Sequence, residues 1–170
     1  SQLKDETIAK DVEKGKGAFA GNEIAGKTIG VLGLGAIGRK VAKLFNALGA
    51  KVIAYDIKPN PELNEVLTYK SLNEVLQESD VISLHVDLNE TTKGLIGSEE
   101  LALMKPTAFL INECRGPVAD TDALIAALKN KKLAGAALDT LTGEENFFNF
   151  DLRGKKLPSE QLKELRAMNN

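Results

Sequence analysis

Apolar residues in this chain fall into two alternating patterns. Short unbroken apolar runs occupy Thr28 to Leu32, Lys51 to Tyr55, Val81 to His85, Ala108 to Asn112 and Gly135 to Leu138. Runs of this length, bounded by Gly, Pro and polar clusters, predict strands. Because they are continuous rather than alternating, they predict a parallel sheet covered on both faces. Between them apolar positions recur at helical spacing. A helix is predicted from Ala36 to Leu48, with Gly49 just past its end. Another is expected from Leu72 to Glu78, where Ser71 and Glu74 form a capping box. A short helix capped by Ser98 ends near Met104, and Pro106 stops it. The stretch Thr121 to Lys129 carries Leu124, Ile125 and Leu128 on one face, an acid in its first turn and a lysine at its end. A short extended piece, Leu67 to Tyr69, follows a turn punctuated by Pro59 and Pro61. Five strands alternating with helices predict a single α/β domain with a doubly wound, Rossmann-type parallel sheet.

The first of these strands runs into Gly33-Leu-Gly-Ala-Ile-Gly38. Glycine spacing of this kind is weak alone, but here a strand precedes it and a helix follows. The second strand then ends in an acid, Asp56. Together these make the complete dinucleotide-binding fingerprint. Gly33 permits the turn, Gly35 lets a pyrophosphate approach the backbone, and Gly38 lets the helix pack on the sheet. With Ala36 and Ile37 these residues open the helix, whose free N–H groups attract phosphate. Asp56 suits the two hydroxyls of an adenosine ribose and repels a 2′-phosphate, so NAD is the expected cofactor rather than NADP.

Length and composition narrow the alternatives. The 170 residues suit one domain, and 43% hydrophobic with 27% charged residues is ordinary for a folded domain. A net charge of −2 offers no basic surface for nucleic acid or anionic membrane. The single cysteine rules out an internal disulfide and fits a reducing cytoplasm. The chain divides into a leading helix and loop (residues 1–25), a dinucleotide-binding domain (26–145) and a tail (146–170). Leu3, Ile8 and Val12 mark the leading helix, and Gly15 to Gly26 reads as loop. The tail gathers Phe147, Phe148 and Phe150 and ends in a short helix, Ser159 to Met168. By its own alternation the chain is expected to stop one strand short.

In an open α/β sheet, ligands sit outside the carboxyl ends of the strands. The groups placed there are the glycine loop, Asp56, His85 with Val86, Asn112 to Gly116, and Asp139 to Glu144. Among them, Arg115 has the planar fork that suits a carboxylate. Glu144 could hold and polarise an imidazole.

These segments carry a resemblance. Gly33-Leu-Gly-Ala-Ile-Gly38, Ile82-Ser-Leu-His-Val86, Leu110-Ile-Asn-Glu-Cys-Arg-Gly116 and Gly135-Ala-Ala-Leu-Asp139 resemble the NAD-dependent D-2-hydroxyacid dehydrogenase family. Gly49 to Asp56, Asn60 to Leu63 and Gly143 to Phe148 look most like its D-lactate dehydrogenase branch. The resemblance implies hydride transfer between NADH and a small 2-keto acid, and assembly as a homodimer. It implies that Arg115 binds the substrate carboxylate, Glu144 is the catalytic glutamate, Asp139 contacts the nicotinamide carboxamide and Asp56 the adenosine ribose. His85, Val86, Glu113 and Cys114 then line the cofactor. His85 matches a strand-end histidine beside the cofactor, not the family's acid/base. That acid/base is a histidine following one more strand, and it has no counterpart here. The family's substrate-binding domain also has none, so the chain is expected to bind NAD and be inactive alone. No metal is implied. Asp87 stands where the family usually has proline, and Glu113 where it has a small or hydroxyl residue; both add negative charge near the cleft. The second reading is a non-catalytic NAD-sensing or dimerisation module.

Overall fold

The apolar runs pair side by side, all parallel, in a computed structural model that describes residues 15, 21–144 and 159–168. The strands are β1 (Thr28–Leu32), β2 (Lys51–Tyr55), β3 (Thr68–Tyr69), β4 (Val81–Leu84), β5 (Phe109–Asn112) and β6 (Gly135–Leu138). Their order is β3-β2-β1-β4-β5-β6. β1 is central: Val31 lies between Ala54 of β2 and Ser83 of β4. The sheet therefore has six strands rather than five. The sixth, β3, falls in the extended piece expected at Leu67 to Tyr69; it is two residues long and pairs with β2 through Ile53↔Thr68 and Ala54↔Tyr69.

The helices are α1 (Gly38–Ala47), α2 (Leu72–Glu78), α3 (Ser98–Leu103), α4 (Thr121–Lys129) and α5 (Glu160–Ala167). Each strand sends alternate side chains to opposite faces. Ile29 and Val31 pack with Ala42 of α1, Val52 and Ala54 on one face. Leu32, Ile53, Ile82, Leu84 and Leu110 pack with Leu76, Leu101, Leu124 and Leu128 of the other helices on the opposite face. Burying each of these large side chains stabilises the fold by about 1.5–3 kcal/mol before entropy is counted.

Caps fix where the helices begin. Ser71 and Glu74 form the expected capping box on α2. Asp120 accepts the Ala123 N–H at 3.0 Å, and Ser159 accepts the Leu162 N–H at 3.1 Å. Ser98 is not a cap. It is the first residue of α3, and Gly97 precedes it with its N–H held by the Glu100 carboxylate at 3.1 Å. α1 starts at Gly38, later than Ala36, because Ala36 and Ile37 belong to the glycine turn. Gly15 is helical, against the loop expected from that position. The leading helix expected before it and the phenylalanine-rich stretch of the tail lie outside the described residues.

At the amino end of the sheet Asp80 joins three segments. Its Oδ2 accepts the Thr28 N–H at 2.9 Å and its Oδ1 accepts from Lys105 Nζ at 2.9 Å. Its backbone also bonds Thr28 and Phe109, at the starts of β1 and β5. Because every strand points the same way, everything that follows a strand emerges at the opposite, carboxyl edge.

Candidate functional site

The chain reverses direction across the sheet at β1: β2 and β3 lie on one side of it, β4 to β6 on the other. The helices that follow β1 and β4, α1 and α3, consequently pack on opposite faces, leaving between them the crevice in which such sheets bind ligands. Gly33 turns out of β1 with φ +90°, and a Cβ there would lie 2.7 Å from the carbonyl oxygen of His85. A Cβ on Gly38 would lie 1.9 Å from the carbonyl oxygen of Gly33, so the first turn of α1 sits directly on the strand end. Gly35 differs: nothing lies within 4 Å of the position its Cβ would take. That open space lies at the start of α1, which has no side-chain cap and no acid in its first turn. A helix start of this kind presents N–H groups and a partial positive charge to an anion.

Asp56 is drawn into the same loop. Its Oδ2 accepts the Leu34 N–H at 2.6 Å, and its Oδ1 accepts the Lys58 N–H at 2.7 Å. Each carboxylate oxygen has a second lone pair left for a hydroxyl. An uncapped helix start, an open face at Gly35 and a carboxylate fixed at the loop's edge fit a dinucleotide's pyrophosphate and ribose.

His85 and Val86 follow β4 beneath this loop. The His85 ring nitrogen Nε2 lies 2.8 Å from Ser83 Oγ. Burial pushes the imidazole below its ordinary value, and the Glu113 carboxylate partly opposes that. The imidazole is therefore neutral at neutral pH.

After β5, Asn112 is buried and its side chain closes the next turn. Nδ2 donates to the Arg115 carbonyl at 3.1 Å, while Oδ1 accepts from the Cys114 N–H and thiol, both at 3.1 Å. Burial pushes the Cys114 thiol up, so it stays protonated. Arg115 Nη1 donates to the Cys114 carbonyl at 2.7 Å and the side chain is otherwise exposed. After β6, Asp139 is exposed and its N–H bonds the Asn112 carbonyl at 3.0 Å. Glu144 closes a turn: its Oε2 accepts the Leu141 N–H at 2.8 Å. The two turns touch through Gly116, whose Cβ would lie 2.3 Å from the Leu141 carbonyl carbon.

All the residues singled out from the sequence thus stand at one edge of the sheet. The structure brings Asp56 onto the glycine loop, His85 under it, and the Arg115 turn onto the Leu141–Glu144 turn. Sequence reasoning placed Asn112 and Gly116 at this strand end but gave them no role, although they shape the Arg115 turn. The available signal was an Asn ending an apolar run two residues before Cys114, a typical side-chain-to-backbone turn residue. Among the described residues no group of three or more His, Cys, Asp or Glu could hold a metal ion.

The model of the D-isomer specific 2-hydroxyacid dehydrogenase NAD-binding domain matches residues 1–170. A D-2-hydroxyacid dehydrogenase (NAD(+)) of Clostridioides difficile is 44% identical over 149 residues, covering 87% of this chain and 45% of the relative. A D-lactate dehydrogenase of Lactobacillus delbrueckii subsp. bulgaricus is 41% identical, covering 88% of this chain and 45% of that protein. Among solved structures, a D-lactate dehydrogenase from Sporolactobacillus sp. superposes with a TM-score of 0.86 at 54% identity, over 95% of this chain and 50% of that one. The NAD-complexed form of a D-isomer specific 2-hydroxyacid dehydrogenase from L. delbrueckii ssp. bulgaricus superposes with a TM-score of 0.83 at 45% identity, over 89% of this chain and 46% of that one. The chain spans about half the length of the curated relatives it matches. By sequence, fold and crevice alike, the chain belongs to the D-isomer specific 2-hydroxyacid dehydrogenases, as their NAD-binding domain.

Proposed function

We propose that this chain is the cofactor half of an enzyme that interconverts a small 2-keto acid and its D-2-hydroxy acid, and that it prefers NAD to NADP. The observation that carries the cofactor preference is the seat of Asp56. Its carboxylate is fixed at 2.6 Å to the Leu34 N–H, at the edge of the phosphate loop. A 2′-phosphate there would meet a fixed negative charge at short range, which costs affinity. Gly33, Gly35, Ala36, Ile37 and Gly38 would hold the pyrophosphate. His85, Val86, Glu113 and Cys114 would line the crevice, and Asp139 would orient the nicotinamide carboxamide.

When bound, the cofactor supplies or receives the hydride. Arg115 would anchor the substrate carboxylate through paired hydrogen bonds. Glu144 would support the acid/base imidazole. By itself the chain is expected to bind NAD without turnover. Its only histidine, His85, is held against Ser83, and no other group in the sequence replaces the family's acid/base. Assembly as a homodimer belongs to the same proposal, with Leu44 and Leu48 exposed on and beside α1 as an apolar surface. So does residence in the cytoplasm.

The test is a titration of the purified chain with NADH, with NADPH in parallel and light scattering on the same sample. Saturable binding at least about tenfold tighter for NADH, and a dimer mass, are expected. Equal affinity for both nucleotides, or none in a demonstrably folded sample, would overturn the cofactor assignment. Turnover of pyruvate or a branched 2-keto acid by the pure chain would overturn the inactivity.

A further inference from the structure

Two residues that bind nothing in the proposal above determine where Arg115 and Glu144 stand. Asn112 ends β5 with 1% of its surface exposed. Its amide is engaged at both ends, by Arg115 O on one side and by Cys114 N and Sγ on the other. A buried amide satisfied at both ends is costly to disturb, because either broken bond leaves a buried polar group unpaired. The clasp spans Asn112 to Arg115, so it sets the backbone direction from which the guanidinium leaves.

Gly116 then fixes the neighbour. A Cβ there would lie 2.3 Å from the Leu141 carbonyl carbon, 2.4 Å from Thr142 N and 2.6 Å from the Leu141 oxygen. These are backbone atoms, which cannot swing aside as a side chain can. They belong to the turn whose Leu141 N–H is held by the Glu144 carboxylate at 2.8 Å. One five-residue turn therefore aims Arg115 and sets how closely the Glu144 turn approaches it.

We propose that Asn112 and Gly116 are positioning residues, which hold the Arg115 guanidinium and the Glu144 turn in one register for a 2-keto carboxylate. The proposal rests on the assignment of Arg115 as the carboxylate anchor. Neither residue touches substrate; they act through the backbone of the turn. A purely structural role would predict something else: NADH affinity would fall along with carboxylate affinity.

The experiment titrates the NADH-saturated chain with oxamate, an unreactive carboxylate of 2-keto acid shape, following heat and the Arg115 Nε–H resonance. The unaltered chain is expected to bind oxamate and to shift that resonance, and Arg115→Ala to abolish binding while keeping NADH. Asn112→Ala and Gly116→Ala are expected to weaken oxamate by about tenfold or more, with NADH affinity within about twofold. Asn112→Asp keeps the acceptor for Cys114 N–H but sets a buried carboxylate oxygen against Arg115 O, so a loss at least as large as that of Asn112→Ala is expected. If neither Asn112 variant folds, Gly116→Ala carries the comparison. Unchanged oxamate affinity, or NADH and oxamate affinities falling together in folded variants, overturns the positioning role. Failure of the unaltered chain to bind oxamate while it binds NADH overturns the Arg115 assignment, and this proposal with it.

Discussion

Three glycines within one loop meet three different surroundings, and a single methyl group should separate them. At Gly38 the methyl would press into the Gly33 carbonyl at 1.9 Å, which only backbone movement relieves. At Gly35 the space is open and the backbone is not left-handed, so the fold accepts alanine. Gly38→Ala is therefore expected to destabilise the domain by about 3 kcal/mol. Gly35→Ala is expected to leave its stability within about 1 kcal/mol while cutting NADH affinity at least about tenfold, since the methyl fills space meant for pyrophosphate. Thermal unfolding and NADH titration of both variants check this; a destabilised Gly35→Ala with full affinity would contradict it. The spacing of these glycines was legible in the sequence because it is a local pattern. What each glycine faces was not, because His85 and Leu141 reach Gly33 and Gly116 only through the fold.

At the scale of elements, α1 and α4 end in the same way with different residues. After α1, Gly49 takes φ +82°, and Gly49 N and Ala50 N bond the carbonyls of Asn46 and Phe45. After α4, Lys131 takes φ 53°, and Lys131 N and Lys132 N bond Leu128 and Ala127 in the same pattern. Both are Schellman closures, whose left-handed residue is ordinarily glycine. Lys131→Gly relieves the Cβ strain, offset by the greater freedom of glycine in the unfolded chain, and is expected to stabilise by about 0.5–1 kcal/mol. Denaturant unfolding measures it; a loss of stability would mean the lysine side chain outweighs its backbone strain. Most strands and helices were legible to within a residue or two, since burial on both faces writes continuous apolar runs. The exceptions have local causes. β3 is too short to form a run, and Ser98 has the composition of a cap but lies one residue inside the helix.

For the whole molecule, acid stability should fall in two steps. Burial pushes the Asp80 carboxyl up, but the Lys105 ammonium and the Thr28 N–H outweigh it, so the folded value lies below the ordinary 3.8. A depressed carboxyl contributes stability that is complete above 3.8 and is lost as pH falls through the lower folded value. His85 is also depressed, by burial, from 6.5. The fold holds its neutral form, so its contribution is present above 6.5 and is lost as pH falls below it. Melting temperature followed against pH should show an upper step that His85→Gln removes and a lower one that Asp80→Asn diminishes, the depressed Glu74 of the α2 capping box accounting for part of it; an upper step surviving His85→Gln would assign it elsewhere. The strand order itself was not legible as residues, only as the rule for alternating strands and helices. That order has a consequence for synthesis. Of the described strands the earliest made lies inside the sheet, and its partner at Asp80 lies 52 residues further on. A growing chain can zip β1 to β2 and still present β1's other edge, bare and apolar, until Val81 to Leu84 have left the ribosome. The middle of the finished sheet is thus the edge of the nascent one that waits longest for its partner, and the interval between those two strands is when the chain most needs shielding from its neighbours.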